Sequence, residues 1–228
     1  MTTFVLIPGA AADSWFWHLL SAELRRRGHQ AIAPDLPCDV DSAGLSEYAD
    51  AVIAVIGDHT DLVVVAHSFG GFTAPLVCDR AQVDLLVLLT AMVPMPGECP
   101  GDWWTNTGWE QARQDHDRLI GRAPDDDLAL FLHDVPAALA AEVSAHRRDQ
   151  SGTPFGEPWP LQQWPPVPTR FLLCQDDRFF PAEFIRRVVA ERLDLVSDEI
   201  GGGHCLPLSR PEALADRLES YLPLVRAV

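Results

Sequence analysis

Short, wholly apolar runs alternate with longer amphipathic stretches through the first part of the chain. Phe4-Val-Leu-Ile7 is apolar at every position and ends in Pro8-Gly9, which predicts a strand buried on both faces. Trp17, Leu20 and Leu24 then recur at helical spacing behind Asp13 and Ser14, either of which can cap, and Gly28 stops the helix. A second short strand is expected at Ala31-Ile-Ala33, closed by Pro34-Asp-Leu-Pro37. Ser46 is the expected start of the next helix, with Ala49, Val52, Ile53 and Ile56 as its apolar stripe and Gly57 as its stop. Leu62 to Val65 is another apolar run, followed by a helix carrying Phe72, Ala74, Leu76 and Val77, and then by the run Leu85 to Leu89. This β-α-β-α-β-α-β order predicts a parallel sheet with helices on both faces.

The rhythm breaks from about 92 to 166. Pro94, Pro96, Gly97, Pro100 and Gly101 are expected to prevent regular structure, and Trp103, Trp104 and Trp109 cluster just beyond them. Helical patterning returns near Asp126 to His133 and near Pro136 to Arg148, and a proline-rich stretch from Pro154 to Pro168 leads back. This segment reads as a helical cap inserted between two strands of one domain spanning 1–228, because no linker-like boundary isolates it. The sheet pattern then resumes with the strand Arg170-Phe-Leu-Leu-Cys174, a helix from Pro181 to Glu191, and a sixth strand within Leu193 to Ile200. Ser209-Arg-Pro-Glu212 has the form of a capping box opening a final helix with Leu214, Leu218 and Leu222.

Composition narrows the function. The formal net charge of -16 argues against a nucleic-acid surface, and no run approaches the roughly 20 apolar residues of a membrane span. Met1-Thr-Thr-Phe4 leads directly into a strand without a basic segment, so no signal peptide is expected. Cys38, Cys78, Cys99, Cys174 and Cys205 are scattered and lack metal-site spacing, which fits a reducing, cytoplasmic setting. No metal or cofactor is expected.

The candidate chemistry centres on Ala66-His-Ser-Phe-Gly70. A serine at a strand-to-helix junction, with small residues two positions away on either side, has the form of a nucleophile elbow. The turn is tight enough that Ala66 and Gly70 must carry almost no side chain, and it lifts the Ser68 hydroxyl off the sheet beside a helix N-terminus. A serine nucleophile needs a base and an acid to orient that base. In the order expected for this type of sheet, the acid follows the strand after the insertion, in Cys174-Gln-Asp-Asp177, and the histidine follows the last strand, in Gly201-Gly-Gly-His204. Both loops leave the sheet at the edge that carries Ser68, where open α/β sheets bind ligands. Asp177 is the preferred acid, with Asp176 the alternative and turn capping its other role. His204 stands out because three glycines precede it, whereas His67 is expected to point to the other side of the turn as a structural partner. Backbone N–H groups of Phe69 and Ala10 are the expected oxyanion donors, with Gly9 allowing close approach. Trp103, Trp104 and Phe180 are candidate pocket walls.

These motifs resemble the α/β-hydrolase superfamily across essentially the whole chain. With no strand ahead of Phe4, the chain is similar to the compact branch that holds plant methyl-ester esterases and hydroxynitrile lyases. Members of that branch usually carry His-Gly where this chain has Pro8-Gly9, and Gly-His-Ser where it has Ala66-His-Ser68; neither change removes a catalytic atom. The resemblance implies the α/β-hydrolase fold and a serine hydrolase of the carboxylesterase kind. The lyases place a threonine at the position of Gly9 and a lysine at that of Cys205, so the resemblance favours hydrolysis here. The expected reaction is cleavage of a small, largely apolar ester or thioester through an acyl-enzyme, with activity lost on acidification because His204 must be neutral to act as base. The alternatives are a lyase, acyltransferase or biosynthetic cyclase using the same residues, or a non-catalytic ligand receptor.

Overall fold

A computed structural model describes residues 1–123 and 126–225. Six parallel strands form one sheet in the order β2-β1-β3-β4-β5-β6. They are β1 (Thr3–Ile7), β2 (Gln30–Ile32), β3 (Leu62–His67), β4 (Leu85–Leu89), β5 (Thr169–Cys174) and β6 (Asp198–Ile200). The strand order reverses at β1, which runs beside both β2 and β3. That topology produces a crevice at the C-terminal edge of the sheet.

The apolar runs explain why the sheet is covered on both sides. Side chains alternate across a strand, so each run serves two cores. Val5, Ile7, Val64, Ala66, Leu86, Leu88, Phe171 and Leu173 pack against α2 (Leu45–Ile56), α3 (Gly70–Arg80) and α9 (Ala182–Leu193). Phe4, Leu6, Val63, Val65, Val87, Leu89 and Leu172 face the other way, against Trp17, α1 (His18–Arg26) and α11 (Pro211–Val225). Asp13 caps the 3-10 turn Ser14–Trp17 by accepting the Trp15 N–H at 2.9 Å, one of the two caps expected there.

Four local expectations need correction. The second helix starts at Leu45 and not at Ser46; Glu47 binds the Gly44 N–H at 2.8 Å, and Glu157, from far along the chain, binds the Leu45 N–H at 3.0 Å. A distant carboxylate thus does the work assigned to a local serine. Pro100 and Gly101 do not break structure, but form the first turn of α4 (Pro100–Thr107), where a missing N–H has no helical partner to lose. A further helix unseen in the pattern, α5 (Trp109–Ile120), follows at once. Ser209 does not cap the last helix: it closes the short α10 (Leu206–Ser209), its hydroxyl is buried without a partner, and Leu214 N–H bonds Arg210 instead.

Between β4 and β5 the chain builds α4, α5, α6 (Asp127–Phe131), α7 (Ala137–Val143) and α8 (Thr153–Gly156). Polar anchors tie this segment to the sheet layer. Arg192 of α9 donates to Glu98 at 2.5 and 2.9 Å and to the Val93 carbonyl at 2.7 Å, and Asn106 completes the Glu98 carboxylate at 2.9 Å. Trp103 and Trp159 donate their ring N–H groups to the carbonyls of Val93 and Phe72. Each buried polar atom in these anchors has its partner, which is what makes burying them tolerable. Among the described residues no helix is long and apolar enough to cross a membrane, and no group of side chains has the composition of a metal site.

Candidate active site

Ser68 sits between β3 and α3 with φ of +52°, a left-handed conformation unusual for a residue bearing a Cβ. The turn is braced from both sides: the Ser68 carbonyl accepts from Gly71 N–H at 3.1 Å and from Met92 N–H at 2.9 Å. A Cβ at Gly70 would lie 2.8 Å from the Pro8 carbonyl oxygen, which is the steric reason for a small residue there. Holding a serine in this strained region costs on the order of 1 kcal/mol or more, and such strain clusters at functional sites.

The two loops expected to supply an acid and a base do meet beside this turn. The His204 Nδ1 lies 2.8 Å from Asp177 Oδ2, and both side chains are buried. Asp177 is fully enclosed, yet every side of its carboxylate is occupied. Oδ1 accepts the N–H groups of Phe179 at 2.8 Å and Phe180 at 2.9 Å, and Oδ2 also accepts the Thr90 hydroxyl at 2.5 Å. Backbone dipoles and a hydroxyl thereby replace water around a buried charge. With Nδ1 committed to the carboxylate, the His204 ring has Nε2 as its basic nitrogen. Asp176, the other candidate acid, is exposed and takes the turn-capping role: its carboxylate accepts Gly202 N–H at 2.8 Å, and its own N–H bonds the Gly202 carbonyl at 3.0 Å.

Thr90 went unnoticed in the sequence. Its one signal was its position, a polar residue directly after the apolar β4 run and so at the same sheet edge as Ser68. His67 is a structural partner, but its ring does not turn away from the site. It lies 4.6 Å from the His204 ring, and its Nε2 donates to the His204 carbonyl at 2.9 Å. Burial, reinforced by the neighbouring His204, pushes the His67 pKa well below 6.5, so the ring stays neutral.

The loop after β1 supplies the third component. Ala11, at φ of +56°, gives its N–H to Gln150 Oε1 at 3.0 Å, and Gln150 is held in turn by the Tyr48 hydroxyl at 3.0 Å. Among the described residues the Ala10 and Phe69 N–H groups have no acceptor of their own, and both residues line the same cavity as Ser68 and His204. Gly9 is needed for a reason other than substrate approach alone: a Cβ there would fall 3.0 Å from Ser68 Cβ and 3.1 Å from His67 Nδ1.

The cavity holds about 500 Å³. Its apolar walls include Met92, Trp104, Phe131, Phe155 and Phe179, while the exposed Asp127 and Arg147 bring charge to it. Trp104 is among the residues that line this cavity. Trp103 and Phe180 are not; both are fully buried behind the lining, with Trp103 bonded to Val93 and Phe180 packed 5.4 Å from the His204 ring. A hydrophobic pattern alone does not separate a core aromatic from a cavity wall. Cys205 also lines the cavity, and burial, together with the nearby Asp177 and Asp134 charges, pushes its thiol pKa up, so it is neutral.

Comparison with known proteins adds an independent line. Residues 4–217 match the Alpha/beta hydrolase family. The chain is 25% identical to a probable hydrolase R7 of Phoma sp., over 93% of this chain and 94% of that protein. It is 23% identical to methylesterase 8 of Arabidopsis thaliana, over 94% of this chain and 87% of the other. Among solved structures, a pyrethroid hydrolase from Sphingobium faniae JZ-2 superposes with a TM-score of 0.77 at 20% identity, covering 100% of this chain and 99% of that one.

Proposed function

Because the chain belongs to the alpha/beta hydrolase family, whose match spans residues 4–217, we propose that it is a serine hydrolase acting on a largely apolar carboxylic ester or thioester. The observation that carries this reading is the buried His204–Asp177 pair, 2.8 Å apart, whose histidine lines the same cavity as the strained Ser68. In this mechanism Nε2 of neutral His204 takes the Ser68 proton as Oγ attacks the substrate carbonyl carbon. Asp177 keeps the remaining imidazole proton on Nδ1 and stabilises the imidazolium that forms. The carbonyl oxygen becomes an oxyanion facing the Ala10 and Phe69 N–H groups. Collapse expels the alcohol or thiol, which receives the proton from His204. Water, activated by the same histidine, then hydrolyses the acyl-enzyme and restores Ser68.

Gln150 supports the oxyanion site by occupying Ala11 N–H and so fixing the loop that presents Ala10. The aromatic lining favours a substrate with an apolar acyl or alcohol group, and 500 Å³ accommodates more than a minimal ester. The neutral thiol of Cys205 lines the cavity where the resembling lyases carry a lysine, which favours hydrolysis over lyase chemistry.

The test is turnover of a panel of p-nitrophenyl esters and acyl thioesters of graded chain length. The reading expects wild-type hydrolysis with a preference for apolar groups, falling by several powers of ten in Ser68→Ala. Absence of turnover across the panel, or a Ser68→Ala variant as active as wild type, counts against it.

A further inference from the structure

The loop that carries His204 is held by three successive peptide groups, and one of the three holders does not belong to the sheet layer. Gly202 bonds Asp176, next to the acid itself. The His204 carbonyl bonds His67, next to the nucleophile. Gly203, between them, gives its N–H to Asp134 Oδ2 at 2.8 Å, and Asp134 lies in the segment between β4 and β5, just after α6. Its neighbour His133 reaches across too, donating from Nε2 to the Asp176 carbonyl at 3.0 Å. The other Asp134 oxygen, Oδ1, is buried without a hydrogen-bond partner. A half-satisfied buried carboxylate is costly to keep, so the bond it does make must be worth retaining.

The approach is also tight. A Cβ on Gly203 would lie 2.7 Å from Asp134 Oδ1 and 2.7 Å from His133 Nε2. Gly203 does not have a positive φ, so its backbone conformation would accept an alanine. The glycine directly before His204 is therefore required by the side chains that descend on it, not by the turn. This accounts for a feature of the Gly201-Gly-Gly-His204 motif that loop flexibility alone leaves unexplained.

We infer that Asp134 is a positioning residue which lets the inserted segment set the orientation of His204 through the Gly203 peptide. The inference rests on the serine-hydrolase reading for its kinetic consequence, but not for the geometry. Substrate groups that touch Phe131, the last residue of α6 and a cavity wall, are thereby linked to the histidine loop by a short covalent path to Asp134.

The experiment compares Asp134→Ala, Asp134→Asn and Gly203→Ala in the full chain. Two readouts are used: steady-state hydrolysis of a p-nitrophenyl ester, and the exchange-protected His204 Nδ1 proton in the NMR spectrum. Asp134→Ala and Gly203→Ala are expected to lower kcat roughly tenfold to hundredfold at little-changed KM, because displacing a reacting group by about 1 Å costs on the order of a hundredfold. Asn keeps a carbonyl acceptor for Gly203 N–H, so Asp134→Asn should stay within about threefold of wild type. The Nδ1 proton should shift and lose protection in both alanine variants and stay in place in Asp134→Asn. If Gly203→Ala acts through Asp134, the double variant with Asp134→Ala should lose less than the product of the two single effects. The inference is overturned if the alanine variants leave kcat and the Nδ1 proton unchanged, if KM alone rises, or if Asn falls as far as Ala. Should wild type hydrolyse no ester, the hydrolase reading fails by itself while the NMR comparison still decides the role of Asp134; it also serves if Asp134→Ala does not fold, since Gly203→Ala perturbs the same contact.

Discussion

Replacing Asp177 by asparagine exchanges only one heavy atom of the side chain, an oxygen for an NH2 nitrogen, yet it should nearly silence the enzyme. The Oδ1 oxygen receives two backbone N–H groups, so the asparagine amide is oriented with its oxygen on that side. Its NH2 group then occupies the place of Oδ2, facing the Thr90 hydroxyl and His204 Nδ1. Thr90 can rotate its hydroxyl and accept. His204 can accept only by presenting a bare Nδ1, which moves its proton to Nε2. An imidazole protonated at Nε2 cannot take a proton from Ser68. Loss of the correct tautomer at an equivalent arrangement is worth about 10⁴ in kcat, which corresponds to about 5 kcal/mol of barrier. Stability should fall much less, by about 1–2 kcal/mol, since each remaining donor keeps a partner. Asp177→Ala is the contrasting case: it strands two backbone N–H groups, a hydroxyl and an imidazole, and should destabilise by more than about 3 kcal/mol. The assay is kcat on a p-nitrophenyl ester, with urea unfolding on the same preparations. An Asp177→Asn enzyme within about tenfold of wild type would refute the tautomer argument. So would Asp176→Asn being the more damaging substitution.

Other residues give separate tests. Gln150→Ala frees the Ala11 N–H and should lower kcat about tenfold with a smaller change in KM, since it loosens an oxyanion donor without deleting it; a pure KM effect contradicts the role. Phe131→Ala removes a cavity wall and should raise KM for bulky aromatic esters about tenfold while sparing acetate esters, which a substrate series will show. Folding holds His67 neutral, so below pH 6.5 the unfolded chain binds the extra proton and stability drops as pH falls. His67→Gln removes that contribution, and the loss of stability between about pH 7.5 and about pH 5 should shrink by up to about 2 kcal/mol. Equal losses in urea titrations of the two proteins would contradict a buried neutral ring.

How far the chain could be read depended on the range of the interactions involved. The strands were legible because β1, β3, β4 and the end of β5 are buried on both faces, and such runs have no polar interruption. Ser68, Asp177 and His204 could be nominated because each sits in a loop at the same sheet edge, in an order that topology restricts. The second strand and the last were shorter than or offset from the pattern, as Gln30–Ile32 and Asp198–Ile200 offer little apolar length. The first helix of the inserted segment was missed for a different reason: Pro100 was read as a breaker when its place in the first turn made it a starter.

What stayed hidden was polar and long-range. Thr90, Asp134 and Gln150 are single ordinary residues whose roles exist only once distant loops converge. The same is true of Glu157, which caps a helix more than a hundred residues earlier, as its separation of 112 positions from Leu45 shows. Trp103 and Phe180 mark the opposite error. Their apolar character was evident, but whether a ring faces a cavity or the layer beneath it is decided by packing.

The most direct test of the central claim is intact mass after incubation with a fluorophosphonate probe, on wild type and on Ser68→Ala. An activated serine beside an unclaimed oxyanion site predicts one covalent adduct on wild type and none on the variant. A folded wild-type chain that takes no adduct, or a Ser68→Ala chain that takes one, would contradict it.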